Sequence, residues 1–129
     1  MKKLFITCLV VFFLFGVSIS AAQDNSATID KGGEFGFTWD ANIEADMAGY
    51  RLYRSSTSGG YSYGEAFAYA VFGLVTESPR YTEGVEGTYY FVLTAVDDAG
   101  FESDPSIEVT LNVENMPPSA PSGCAILKF

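Results

Sequence analysis

The chain contains no histidine. That removes the commonest general base and the commonest metal ligand near neutral pH, and no Ser–His or Cys–His nucleophile pair can be assembled from what remains. Cysteine is scarce, with only Cys8 and Cys124 present. Basic residues are few, 7 against 16 acidic ones, for a formal net charge of −9. An acidic chain repels nucleic acid and anionic lipid surfaces, so neither is an expected partner. Apolar and aromatic residues, by contrast, make up 48% and 16% of the chain. A chain of 129 residues is enough for one domain with a core.

The N-terminus has a composition of its own. Met1-Lys2-Lys3 is a short basic opening, and residues 4–17, LFITCLVVFFLFGV, carry no charge. Small residues follow, with Ser20 and Ala22 placed for cleavage before Gln23. This is the layout of a secretory signal peptide, expected over residues 1–22. An uncleaved anchor is the rival reading, since residues 4–22 are nearly long enough to span a bilayer, but the small-residue end favours cleavage. A lipoprotein needs a cysteine at the end of the apolar run, whereas Cys8 lies in its middle. The expected product is secreted, extracellular or periplasmic, with no membrane attachment. It keeps five basic residues against 16 acids and one cysteine, Cys124. No internal disulfide can form, so Cys124 is either a free thiol or half of an intermolecular bridge joining a dimer.

Residues 23–114 read as the folded domain, built of short strands separated by turns. Residues 28–30 are a first short strand, ended by the Lys31-Gly32-Gly33 turn. Residues 34–39 alternate, placing Phe35, Phe37 and Trp39 on one face. Residues 40–48 are an acidic loop. Residues 49–54 are a strand with Tyr50 and Leu52 on one side, and residues 55–60 a Ser/Gly loop. A strand is expected at 66–71, with a helical turn as the alternative, and another strand at 79–82, where Pro79 suits a strand start. Residues 87–96 alternate with both faces apolar, Tyr89, Phe91, Leu93 and Ala95 against Tyr90, Val92, Thr94 and Val96, as in a central strand. Residues 107–113 close the set. Seven short strands with turns every 8 to 12 residues indicate an all-β sandwich or barrel.

Three stretches carry a resemblance: FTWD at 37–40, the D-x-x-G-Y-x-x-Y-R run of Asp46, Gly49, Tyr50, Tyr53 and Arg54, and TYYFVLTAVDDAGFESDPS at 88–106. Together they resemble a fibronectin type III domain of a bacterial exported protein, over residues 26–114. The resemblance implies a seven-stranded antiparallel, immunoglobulin-like β-sandwich with Trp39 in its core, packed against Tyr50 and the Phe91/Leu93 face. It also implies a tyrosine corner at Tyr89. The chain departs from the family at Val85-Glu86-Gly87, where a Leu-x-Pro-Gly turn is usual. The Arg-Gly-Asp triplet that some members use for cell binding is missing.

Three sets of residues are candidates for function. Tyr61, Tyr63 and Tyr69, near Phe67 and Phe72, suit contact with a protein or a surface polysaccharide, unless they merely cover one edge of the sandwich. Asp40, Glu44 and Asp46 with Asp97, Asp98, Glu102 and Asp104 lie in two loops that the resemblance places at one pole. Carboxylates in that number are oxygen ligands for calcium, but their spacing fits no loop motif, and solvated charge is the preferred reading. No metal, cofactor or catalytic residue is therefore expected. A carboxylate pair of the glycosidase kind would need a cleft that these turn positions do not provide. The third set is the tail. Residues 115–123 are a Pro-rich linker, and residues 124–129, CAILKF, begin like a strand. The tail is a remnant of a second module, an apolar segment that pairs with a sheet edge of a partner, or a cysteine tether for a dimer. The whole reads as an exported non-catalytic binding or spacer module mediating protein or cell-surface interactions. The alternative is a carbohydrate-binding accessory protein using exposed tyrosines.

Overall fold

A computed structural model describes residues 8–11 and 25–129. Its strands are β1 (Cys8–Val11), β2 (Ser26–Asp30), β3 (Glu34–Trp39), β4 (Met47–Ser55), β5 (Ala70–Phe72), β6 (Tyr81–Thr82), β7 (Gly87–Asp97) and β8 (Val109–Glu114), with one 3₁₀ turn at Glu65–Phe67. They form a three-stranded sheet in the order β1-β3-β6 and a five-stranded sheet in the order β2-β8-β7-β4-β5. The expected leader, residues 1–22, lies outside the described residues except for Cys8–Val11. Those four residues pair antiparallel with β3.

The core forms where the alternating faces of the two sheets meet. Phe35, Phe37 and Trp39 enter it from β3, Tyr50 and Leu52 from β4, and Tyr89, Phe91, Leu93 and Ala95 from β7. Phe91 meets Phe37 at 4.9 Å between ring centroids. The indole of Trp39 packs on Tyr50 at 5.4 Å and on Phe72 at 5.2 Å, so β5 supplies a partner that the alternation of β7 does not reveal. Two features explain the family-like residues. Gly49 lies so close to β5 that a Cβ there would sit 2.1 Å from the Phe72 carbonyl oxygen. Only glycine permits that approach. Tyr89 donates its hydroxyl to the Val85 carbonyl at 2.8 Å. The tyrosine corner forms although the preceding turn lacks the usual residues, because the bond uses a backbone acceptor.

The expected all-antiparallel arrangement is corrected at one place: β2 runs parallel to β8, from Ser26 opposite Thr110 to Asp30 opposite Glu114. The Lys31-Gly32-Gly33 turn carries the chain from one sheet to the other, so β2 and β3 are not a hairpin. Its buried Ala27 and Ile29 alternate with exposed neighbours in either strand direction, since the side-chain period is two in both. The strand expected at 66–71 is instead a 3₁₀ turn followed by β5, three residues long. β2 to β8 make the seven expected strands, and β1 is an eighth.

Candidate functional site

The outer face of the five-stranded sheet, away from the core, is closed by a polar network that begins at β7. Thr94 stands opposite Arg51 of β4 and is fully buried. A buried hydroxyl needs a partner, and Thr94 finds one in Glu102, donating to its carboxylate at 2.5 Å. Tyr53 donates to the same Glu102 oxygen. Arg51 reaches the other oxygen at 3.2 Å and stands 3.8 Å from Glu65. Glu102 is brought there by the segment that follows β7. The Ser103 and Ser106 amides donate to the Ala95 and Leu93 carbonyls at 2.8 Å. Their hydroxyls accept the Ala95 and Leu93 amides at 2.9 Å. The serines thus extend the sheet pairing where β8 has not yet begun, and Glu102 is turned across the outer face.

A second carboxylate orders the loop beyond β4. Glu108 accepts from the Ser58 hydroxyl at 2.6 Å, the Gly59 amide at 3.0 Å and the Tyr61 hydroxyl at 2.7 Å. Burial alone would raise its carboxyl, but these three donors outweigh it and hold the group below the usual carboxylate value. Between the two carboxylates stands a ladder of rings. Tyr53 meets Tyr63 edge-on at 5.0 Å, and Tyr63 meets Tyr61 at 6.2 Å. Burial, reinforced by the neighbouring Glu102 and Glu108, raises the phenols of Tyr53, Tyr61 and Tyr63 above their ordinary value. Tyr63, the middle ring, remains 44% exposed.

The candidate tyrosines are therefore divided. Tyr61 and Tyr63 come together on the outer face. Tyr69 does not join them: its amide donates to the Leu52 carbonyl at 2.8 Å, and its ring packs on Tyr81 and Phe91 at the inner side. Arg54, paired with Glu83 at 3.0 Å, covers Tyr69 and Tyr89. The two acidic loops do adjoin, through an Asp98 amide that donates to the Asp46 carbonyl at 2.8 Å. Their carboxylates do not converge. Asp97 accepts the Ala99 and Phe101 amides, Glu102 lies under the tyrosines, and no metal-holding group of three or more His, Cys, Asp or Glu residues occurs among the described residues. Cys124 is exposed in the tail. Sequence reasoning missed the organising role of Glu102 and Glu108. The available signal was Thr94, a hydroxyl set between Val92 and Val96 on the same strand face.

No family model matches the chain, and none of the curated proteins matches it. Among solved structures, the chain is similar to an Fn3-like protein from Clostridium thermocellum, at 31% identity over 72% of this chain and 91% of that one, with a TM-score of 0.46. It is also similar to a beta-1,2-glucanase from Parabacteroides distasonis, at 26% identity and a TM-score of 0.40, over 68% of this chain but 12% of the enzyme.

Proposed function

The chain belongs to the fibronectin type III-like family, and from that premise we propose that it is an exported, non-catalytic binding module whose contact surface is the tyrosine ladder. One observation carries this reading. The exposed ring of Tyr63 is held between Tyr53 and Tyr61, whose hydroxyls are taken up by Glu102 and Glu108. A ring fixed in this way offers apolar contact area at little entropic cost on binding. The carboxylates support the absence of catalysis. Glu102 is occupied by Tyr53, Thr94 and Arg51. Glu108 is held low, the reverse of what a general acid needs near neutral pH. The partner is a protein or a surface polysaccharide.

The second reading, a carbohydrate-binding accessory protein, draws on the same ring and uses Tyr61 and Tyr63, with Tyr69 outside the surface. A glycan array and a parallel pull-down on envelope fractions, both with the exported chain, test the proposal. Saturable binding that Tyr63→Ala abolishes supports it, and the array separates sugar from protein. Saturable binding that survives Tyr63→Ala overturns the assigned surface. Absence of saturable binding in both assays overturns the binding role and leaves a spacer.

A further inference from the structure

Strand β3 has two edges with different occupants. On one side the Trp39 amide donates to the Thr76 carbonyl at 3.0 Å and the Ser78 amide to the Phe37 carbonyl at 2.9 Å. The start of the strand pairs with β6. Backbone groups alternate in direction along a strand, so those of Gly36 and Thr38 face the other side, where β1 pairs Val11 with Gly36 and Leu9 with Thr38. β1 lies wholly inside the apolar run of the expected leader. Cleavage before Gln23 would remove this partner and leave β3 as an open edge beside Phe35, Phe37 and Trp39. An open edge of that kind is a template for an incoming strand.

The chain carries a second apolar segment, residues 125–129, AILKF. Every residue from 114 onward is exposed, with Ile126 at 97% and Leu127 at 75%. On the export reading above, we propose that the vacated edge of β3 accepts residues 125–129 of a second copy, joining exported copies head to tail. Direction selects the second copy over the chain's own tail. The tail leaves beside the start of β3: the Lys31 amide donates to the Glu114 carbonyl at 2.8 Å and the Met116 amide to Asp30 at 3.0 Å. From there its direct path along its own β3 is parallel, the weaker pairing, whereas β1 runs antiparallel. The linker, with Pro117, Pro118 and Pro121, is a semi-rigid spacer that projects the tail outwards. Another copy's tail can enter at the Trp39 end and run antiparallel, as β1 does. Each copy then has one donor and one acceptor, a heterologous contact that extends beyond dimers.

The test is light scattering of the exported chain under reducing conditions, after intact mass has established its N-terminus. Concentration-dependent species larger than dimers are expected. Leu127→Pro, which removes an amide from the donor strand outside the sandwich, should give a monomer with an unchanged melting temperature at high dilution. A synthetic peptide of residues 124–129, with serine for Cys124, should bind that monomer and raise its melting temperature. A processed chain that stays monomeric overturns the proposal, as does assembly that survives Leu127→Pro. A monomer that Leu127→Pro destabilises assigns the edge to the chain's own tail and also overturns it. Dimers abolished by reductant or by Cys124→Ser assign association to the thiol, with the same consequence. An exported chain that retains residues 1–22 overturns the vacated edge and the cleavage on which it rests, while leaving the tyrosine surface to its own assay.

Discussion

The two faces of β7 are buried by opposite means. On the inner face, Phe91 and Leu93 are covered by rings and aliphatic side chains from both sheets. On the outer face, Val92, Thr94 and Val96 are also buried, yet the group that organises this side is a carboxylate, Glu102. Apolar packing is non-directional, so a lost contact is shared among many neighbours. A buried polar network is directional, and removing its hub strands every donor at once. The inner face therefore carries the larger share of the stability, and the outer face adds to it while setting which surface the module presents.

The largest expected effect is on the inner side. Trp39→Ala should cost about 3–5 kcal/mol, a large part of the roughly 5–15 kcal/mol of a whole domain. A melting temperature within a few degrees of the parent would contradict the assigned core. Next comes the outer hub. Glu102→Ala leaves the buried Tyr53 hydroxyl without its acceptor and the Thr94 hydroxyl with only the Arg51 carbonyl, 3.5 Å away, and should cost about 3 kcal/mol. Thr94→Val in the same background should recover part of that loss, because it removes a hydroxyl left with a long, weak partner. If Glu102→Ala is neutral by denaturant unfolding, the outer face is not held as described.

Smaller effects follow from the second carboxylate and the phenols. Glu108→Gln should cost about 1 kcal/mol near neutral pH. The folded Glu108 carboxyl lies below its ordinary 4.5. Its contribution is therefore present above that value and lost as pH falls through the folded value. The variant should show a shallower fall in stability in that acid window, and an identical slope would mean that Glu108 does not hold the loop. The phenols of Tyr53, Tyr61 and Tyr63 are raised from 10.0. Their contribution is complete below that value and lost as pH rises past it, because the unfolded chain ionises first. Tyr61→Phe should flatten that alkaline loss in a pH series of melting curves.

The inner face was legible because alternation is a property of the strand backbone. Phe35, Phe37 and Trp39, and Tyr89, Phe91 and Leu93, announce one face without knowledge of their partners. Strand direction was not legible, since β2 alternates identically in parallel or antiparallel pairing. The region around β5 was obscure because a 3₁₀ turn and three strand residues are too short to show a period. Glu102 and Glu108 were hidden by distance along the chain: Glu102 meets Tyr53 across 49 residues, and Glu108 meets Ser58 across 50. In sequence, both look like solvated charge. The three tyrosines looked like one group because they share a segment. The backbone pairing of Tyr69 with Leu52 sends its ring to the opposite side.

Tyr63 and Tyr69 are similarly exposed, at 44% and 38%, but only Tyr63 lies on the outer ladder. The most direct measurement is the affinity of the exported chain, of Tyr63→Ala and of Tyr69→Ala for the same captured ligand, each variant first shown to be folded. Tyr63→Ala should lose binding by at least tenfold, about 1.4 kcal/mol, while Tyr69→Ala should bind as the parent does. Equal losses, or a loss confined to Tyr69→Ala, would contradict the assigned surface.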